Sequence, residues 1–494
     1  MDNSATSPSL SHYFANDPPS FFDEIPKSGA TDPLTHNNFN GSFQAPDYFE
    51  NPELEEDIRV SEDVRNFWLP PHTEPGIPPL LTLPGVLSPN DLSDPIRDAV
   101  ALHLGEPELS QRHVLTVGDV TQDERGLRRL ISAGCFRAAV NLTGRLLTIY
   151  GQGYGRAGQP AKHSPHSLQL WFTRLALLTK LGQYELLQSE AEPFGQLNSG
   201  DVYYDFYHEM YGGKKGSMAC FSFRLLLAEI PMYTGSPKTA MDRLSELSAL
   251  CNEIKNHFKS DQPSYEFWRK REVRVLHSII NCGILMRDYC LVDDIMKVLL
   301  AQPELSKEDK RFMFSAWGRI YLQIGDVFGA EHKFAEARRL KDMNATPDLR
   351  DLVDKGLIAV AQNDFFEAHN NFQKALNVDP TNTMLLNNMG VCLLYSGKLK
   401  DAIALFEKAI NMNPQKSLNE NLLINLSTLY ELESSNSRNK KLNLLRLVNR
   451  FKPDLNISLD YCLKLQIFRF QRQIQNILLP SGNRSTKGSL QNSP

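Results

Sequence analysis

Nowhere among the 494 residues is there a run of eighteen uncharged apolar side chains, so no membrane-spanning helix is expected. The opening stretch "MDNSATSPSL" has neither a basic start nor an apolar core, and no secretory signal is read from it. Cysteine is sparse: Cys135, Cys220, Cys251, Cys282, Cys290, Cys392 and Cys462 are scattered, odd in number and never spaced C-x-x-C. Reduced thiols in the cytoplasm are expected, rather than disulfides or a zinc site. Catalytic signatures are missing too, with no nucleophile-elbow glycine–serine motif and no His-Glu metalloprotease pattern. "MYGGKKGS" (210–217) comes nearest a P-loop, but Lys214 is followed by Lys215 rather than Ser or Thr. It reads as a basic turn, with Ser217 capping the helix after it.

Basic residues are nearly absent from the first 63 positions, which hold 13 acidic and 2 basic groups for a net of −11. The remainder carries +6, a mild excess that does not call for a nucleic-acid partner. Periodic hydrophobics are also missing at the start, where 15 of the 29 prolines fall within the first 95 residues. Such a composition buries too little surface to offset chain entropy, so 1–95 is expected to be a disordered arm. Within it, "FFDEIP" (21–26) and "DYFENPELEED" (47–57) are candidate docking peptides, and 67–86 favours extended polyproline-like backbone. Residues 481–494 read as a second disordered tail.

What is present is helical periodicity. In "RGLRRLISAGCFRAAVNLTGRLLTIY" (125–150), Leu127, Leu130 and Ile131, then Ala138, Leu142, Leu146 and Leu147, recur at three and four, with Gly134 between them. This helix runs into "GQGYGRAG", a literal G-x-G-x-x-G at Gly153, Gly155 and Gly158. A phosphate cradle needs a strand before those glycines and a helix directly after. Here an amphipathic helix precedes and "QPAKHSPHS" follows, so the loop reads as a connection and no cofactor is expected. His163 and His166 flank a proline without acidic or thiol partners and read as surface histidines; Asp293 and Asp294 read as a solvated face. The basic run Arg438, Lys440, Lys441, Arg446, Arg450 and Lys452 reads as the exposed side of a capping helix.

The strongest signal is self-similarity. Between the segments starting at Leu349 and Thr383, Gly356 matches Gly390, Ala368 matches Ala402, Phe372 matches Phe406, Ala375 matches Ala409 and Pro380 matches Pro414, each pair 34 residues apart. A further copy, at a 38-residue offset, holds Trp317, Gly318, Ala330, Phe334 and Ala337. That period, with small residues where two helices touch and an aromatic between them, is the tetratricopeptide pattern. Turns at 132–140, 180–188, 233–241 and 285–293 predict degenerate hairpins upstream. The expected fold is all-α: a right-handed α-solenoid with degenerate hairpins over 96–310, repeats over 311–416 and capping helices over 417–480.

Chaperone-binding repeats clamp a carboxylate with Lys, Asn and basic residues at five slots. Here those slots hold Val353, Leu357, Asn388, Leu418 and Leu422, which argues against a co-chaperone-type adaptor, the alternative reading. Leu357, Met384, Val391, Leu394 and Tyr395 instead predict an apolar groove for a partner segment.

Longer stretches carry a resemblance. "AAVNLTGRLLTIYGQGYGRAG" (138–158), "SLQLWFTRLALLTKLG" (167–182), "DVYYDFYHEMYGGKKGSMACFSFRLLLAEIPMYTGSP" (201–237), "NDFFEAH" (363–369), "MGVCLLYSGKLKD" (389–401) and "NLSTLYELESSNSRNKK" (425–441) look like the subunit 12 family of the trafficking protein particle (TRAPP) complex. The likeness covers roughly 96–465; after "DYCLKL" (460–465) the chain departs from the family's ending. It implies a non-catalytic scaffold subunit of an assembly that tethers vesicles between endoplasmic reticulum and Golgi and acts as a Rab exchange factor, with roles in autophagy. The exchange site belongs to small core subunits, so no catalytic residue carries over. Implied partners are other TRAPP subunits, with a Rab GTPase and the membrane reached only through the complex. The implied location is cytoplasm, the endoplasmic reticulum–Golgi intermediate compartment and the Golgi periphery. Mitotic chromosome association, and so a nuclear location, is a secondary implication.

Overall fold

The computed structural model describes residues 60–69, 81–302, 305–341, 348–434 and 437–465. The docking peptides read at 21–26 and 47–57, the tail 481–494 and the cap beyond 465 lie outside the described residues. Among the described residues, seventeen helices have eight residues or more. The first, α1 (Pro95–His103), stands apart; the others form eight antiparallel hairpins. These are α2 (Glu124–Ser132) with α3 (Phe136–Ile149), α4 (Pro165–Lys180) with α5 (Tyr184–Ala191), α6 (Phe221–Tyr233) with α7 (Pro237–His257), and α8 (Gln262–Met286) with α9 (Tyr289–Leu300). Next come α10 (Lys307–Gln323) with α11 (Val327–Arg339), α12 (Leu349–Ala361) with α13 (Phe365–Val378), α14 (Thr383–Tyr395) with α15 (Leu399–Met412), and α16 (Glu420–Glu433) with α17 (Ser437–Phe451). An isolated bridge between Tyr203 and Ser217 is the only β-type pairing among the described residues.

One local device makes the first seven turns. Each places a residue in the left-handed region: Gly134, Gly182, Gly235, Arg287, Gly325, Asn363 and Gly397, with φ between 59° and 86°. The next N–H then returns to the carbonyl five residues back, as in Cys135 to Leu130 (2.9 Å), Asp364 to Ala359 (2.8 Å) and Lys398 to Leu393 (2.9 Å). This satisfies the orphan carbonyls of the first helix and aims the chain back along it. Arg287 holds that slot against a steric cost of about 1 kcal/mol. The turns read at 132–140, 180–188, 233–241 and 285–293 all lie between paired helices.

Part of the supposed disordered arm is packed structure. Residues 60–69 lie against α7 and α8: the Phe67 ring stacks on His257 at 5.1 Å, and Trp68 is buried beneath the Arg224 guanidinium at 4.1 Å and beside Trp268. Ser217 donates its N–H to Asn66 O (2.9 Å) and accepts from Arg224, while α6 opens at Cys220; Ser217 is therefore a bridge and not the expected cap. Residues 81–92 form a second strap, with Leu87 N–H on Glu190 (3.0 Å) and Leu92 N–H on Asn141 (2.9 Å). The same Glu190 takes both prongs of buried Arg174, whose Nη1 also reaches Val140 O at 2.9 Å. The aromatics and threonine here bury enough surface locally to hold proline-rich chain in place, which bulk composition does not show.

The array also closes on itself. Ile96 and Val100 of α1 are fully buried among Leu422, Leu426, Leu445, Val448 and Leu463. Arg112 pairs with Asp94 (2.6 Å) and donates to the carbonyls of Asn449 (3.1 Å), Lys452 (3.0 Å) and Pro453 (2.8 Å), which end α17. Arg137 at the start of α3 grips Asp454 twice, through its side chain (2.8 Å) and its own N–H (2.8 Å). The expected cap with an outer face in water is thus a correction: α17 carries α1. The basic run divides. Arg438, Arg446 and Arg450 face solvent, with Arg446 reaching Glu108 at 2.9 Å; Lys440 pairs with Glu433 within the hairpin, Lys452 is half-buried, and only Lys441, buried against Glu431, departs fully from the exposed reading.

Replacing Arg112 by Met should cost about 3 kcal/mol, since it strands Asp94 and three carbonyls together. Amide exchange in α1 and α17 should accelerate more than in α10–α13; uniform acceleration, or none, would refute the clasp.

His277 of α8 supplies a pH dependence. Burial, helped by Arg274, pushes its pKa down to about 3. Below about pH 6.5 the unfolded chain takes up a proton that the folded chain refuses until about pH 3, so stability falls with pH through that window. In His277→Leu the slope of unfolding free energy between pH 4 and 6 should shrink by up to about 1.4 kcal/mol per pH unit. An unchanged slope in urea titrations would remove His277 as its source.

Candidate functional site

The three repeats between 311 and 414 share one interlock. Phe334, Phe372 and Phe406 are fully buried between their paired helices. Each ring presses on the glycine opposite: a Cβ added at Gly318 would sit 2.5 Å from Phe334, at Gly356 2.5 Å from Phe372, and at Gly390 2.6 Å from Phe406. Ala330, Ala368, Ala402, Ala375 and Ala409 have no exposed surface, and Trp317 is buried with its Nε1 donating to Asp293 (2.7 Å). Pro380 follows the end of α13, while Pro414 opens a one-turn helix, Pro414–Ser417, between α15 and α16. These positions therefore build the scaffold and offer no functional group to a ligand.

The predicted apolar groove is not assembled. Leu357 and Met384 are buried in the core shared by α10–α14. Val391 and Leu394 pack half-buried on the core formed by α14–α17, and Tyr395 alone is exposed. In a repeat whose first helices carry many leucines, the slots that face a partner elsewhere are taken by the packing of hairpin on hairpin. The same holds for the clamp slots: Val353, Leu418 and Leu422 are buried, so no carboxylate clamp can form from them.

Polar clusters that resemble chemistry resolve into links between elements. In the glycine loop, Gly158 donates its N–H to Leu83 O (3.0 Å), Gln152 O accepts from Val86 N–H (3.2 Å), and Gly85 touches Ala157 so closely that a Cβ has no room. The loop seats the chain's own strap. Behind it runs a buried relay. Trp171 Nε1 donates to Gln152 Oε1 (2.7 Å), and Gln152 Nε2 lies 3.3 Å from His163 Nδ1. His163 Nε2 meets Thr82 Oγ1 (2.6 Å), which donates to Asp201 (2.8 Å). Thr, His and Asp meet as in a nucleophilic triad, but all three are buried and the hydroxyl hydrogen is committed to the carboxylate, so no substrate carbonyl is approached. Burial holds His163 toward its neutral form against the pull of Asp201.

His163 is thus buried, a correction to its surface reading, while His166 sits 40% exposed, 2.7 Å from Glu124, in an open depression of about 420 Å³ also lined by Arg125, Arg128, Ile149 and Tyr150. No group of three His, Cys, Asp or Glu that could hold a metal occurs among the described residues. Two carboxylates escaped the sequence reading as structural pieces. Asp293, read as a solvated face, accepts from Trp317 and from Tyr321 Oη (2.9 Å), tying α9 to α10. Asp354 is buried and takes Arg319 (3.0 and 2.9 Å) and Ser315 (2.6 Å), tying α10 to α12. Only spacing along one helix is visible in sequence, and these bonds cross between hairpins.

Comparison with known proteins recognises one of these repeats. The Tetratricopeptide repeat family profile matches residues 384–416, covering α14 and α15. The chain is similar to trafficking protein particle complex subunit 12. Identity is 42% to the Mus musculus protein and 40% to the Homo sapiens one, each over 386 residues. Both alignments take in 74% of this chain, but 48% of the mouse and 52% of the human protein, so the chain spans about half the length of the curated relatives it matches. Among solved structures, the apo form of the quorum sensor NprR from B. thuringiensis superposes with a TM-score of 0.36 at 14% identity, over 65% of this chain and 85% of that one.

Gly→Ala inside a helix ordinarily gains about 1 kcal/mol. At Gly390 the sign should reverse, because the added methyl meets the Phe406 ring, and a net loss of about 1–2 kcal/mol is expected in urea denaturation. Pairing Gly390→Ala with Phe406→Leu should recover part of that loss relative to the sum of the single changes. Additive losses would show that the two residues do not interlock.

Proposed function

We propose that the chain is a non-catalytic scaffold subunit of a TRAPP-type assembly, serving endoplasmic reticulum-to-Golgi transport, Golgi organisation and autophagy through protein–protein contacts. The observation that carries this is the 42% identity to TRAPP complex subunit 12 over 386 residues. The structure adds support of a different kind. The polar groups that resemble an active site, Thr82, His163 and Asp201, are spent on anchoring the strap, and the glycine loop is spent on seating it. Other TRAPP subunits are the proposed direct partners. A Rab GTPase and the membrane are reached through them, which places the chain at the endoplasmic reticulum–Golgi boundary. In the described part no helix is long and apolar enough to cross a membrane.

Crosslinking mass spectrometry on the native assembly, purified through this chain, tests the reading. Crosslinks from the hairpins to several TRAPP subunits are expected. If purification recovers no TRAPP subunit above background, the assignment is wrong.

A further inference from the structure

Three successive turns leave large apolar side chains in water. Phe328, the second residue of α11, is 83% exposed, and Phe366, the second residue of α13, is 80% exposed. Counting from Gly318 and Gly356 as repeat position 8, both occupy position 18. The neighbouring hairpins hold Cys290 and Lys400 there, so no packing rule of the repeat demands phenylalanine. Tyr395, 67% exposed, stacks on Phe365 with ring centroids 4.7 Å apart. Gln362 bonds Glu331 at 3.0 Å, and Ile324 adds to the first turn. These two contacts hold the three turns side by side as one ridge. The four exposed side chains offer roughly 500 Å² of apolar surface, taking about 150–250 Å² per whole aromatic. Isolated exposed hydrophobics are ordinary, but large ones repeated on three linked turns mark an interaction surface.

Charge narrows the occupant. Residues 324–332 and 362–370 contain Asp326, Glu331, Asp364 and Glu367, all exposed, and no lysine or arginine; Lys398 and Lys400 appear only at the third turn. A second copy would bring the same acidic groups against these, which disfavours self-association through this ridge. It suits one helix laid across the turns. We propose that the ridge Ile324–Phe328–Phe366–Tyr395 is a docking surface for an amphipathic helix of another protein, whose apolar stripe is flanked by lysine or arginine. Within the proposed function, that helix belongs to a neighbouring subunit, and the inference rests on that reading only for the partner's identity.

Fluorescence anisotropy with the full chain tests it, using two synthetic helical peptides. One carries leucine at i, i+3, i+4 and i+7 flanked by lysine; the other has glutamate in place of lysine. The lysine peptide should bind at least about tenfold more tightly, and the F328S/F366S double variant should lose at least about tenfold of that affinity. Its melting temperature should stay within about 2 °C of the parent, because both rings are exposed. Equal affinity for the two peptides, no binding of either, or binding unaffected by F328S/F366S would each overturn the proposal. So would a dimer in sedimentation that F328S/F366S disperses, since the ridge would then belong to a second copy. Lysine-peptide binding in a chain that recovers no TRAPP subunit would leave the ridge standing and remove the proposed function. Recovered subunits without peptide binding would do the reverse.

Discussion

A pair of antiparallel helices cannot cover its own apolar faces, so each hairpin depends on the next, and a linear stack still leaves its two outermost faces bare. In this chain the last face is covered by a helix from the start of the array, and polar contacts join that end to the first hairpin. Helix α1 lies over the last hairpin, burying Ile96 and Val100, while Arg112 and Arg137 hold the segment after α17 against the first. Backbone carbonyls ending α17 receive their hydrogen bonds from an arginine more than 330 positions earlier in the chain. The stability of the terminal hairpins is therefore not a local property, and the usual expectation of fraying ends does not apply to them.

The period-34 interlock is visible in sequence because every element of it is a side-chain identity at fixed spacing: a glycine, a phenylalanine sixteen residues on, and alanines at the crossings. The turns are visible because the left-handed slot selects glycine or asparagine in six of seven cases. Closure is not visible, since Arg112 meets carbonyl oxygens, which every residue has. The straps are hidden for a related reason. Proline content and charge describe a segment on average, whereas Trp68, Thr82 and Leu87 act singly, at sites prepared by Arg224, Asp201 and Glu190. The groove reading failed by assuming one division of labour for all such repeats. Leu357 and Met384 stand where other arrays meet their ligands, yet here they are core.

Buried polar links divide the array into joints of different character. Asp354 ties α10 to α12 with three hydrogen bonds, and Asp293 ties α9 to α10 through a tryptophan and a tyrosine. Apolar packing alone tolerates small slips of one hairpin on another. A carboxylate that must meet a guanidinium or an indole N–H at hydrogen-bond distance fixes the register, because a slip leaves a buried charge unmatched. The links at Asp293 and Asp354 flank the α10–α11 hairpin, and α12 leads directly into α13, which is where the exposed phenylalanines lie.

Closure and register together decide where a partner can act. With α1 seated on the last hairpin, the outer face of that hairpin is taken. Leu357 and Met384, in repeat slots that elsewhere face ligands, are core here. At the turn edge the repeat imposes only the left-handed residue and leaves its neighbours free. Position 18 shows that freedom: lysine in one hairpin, phenylalanine in two others, all on the same backbone geometry. A side chain that the fold neither needs nor shields is the one whose identity can be set by a binding partner alone.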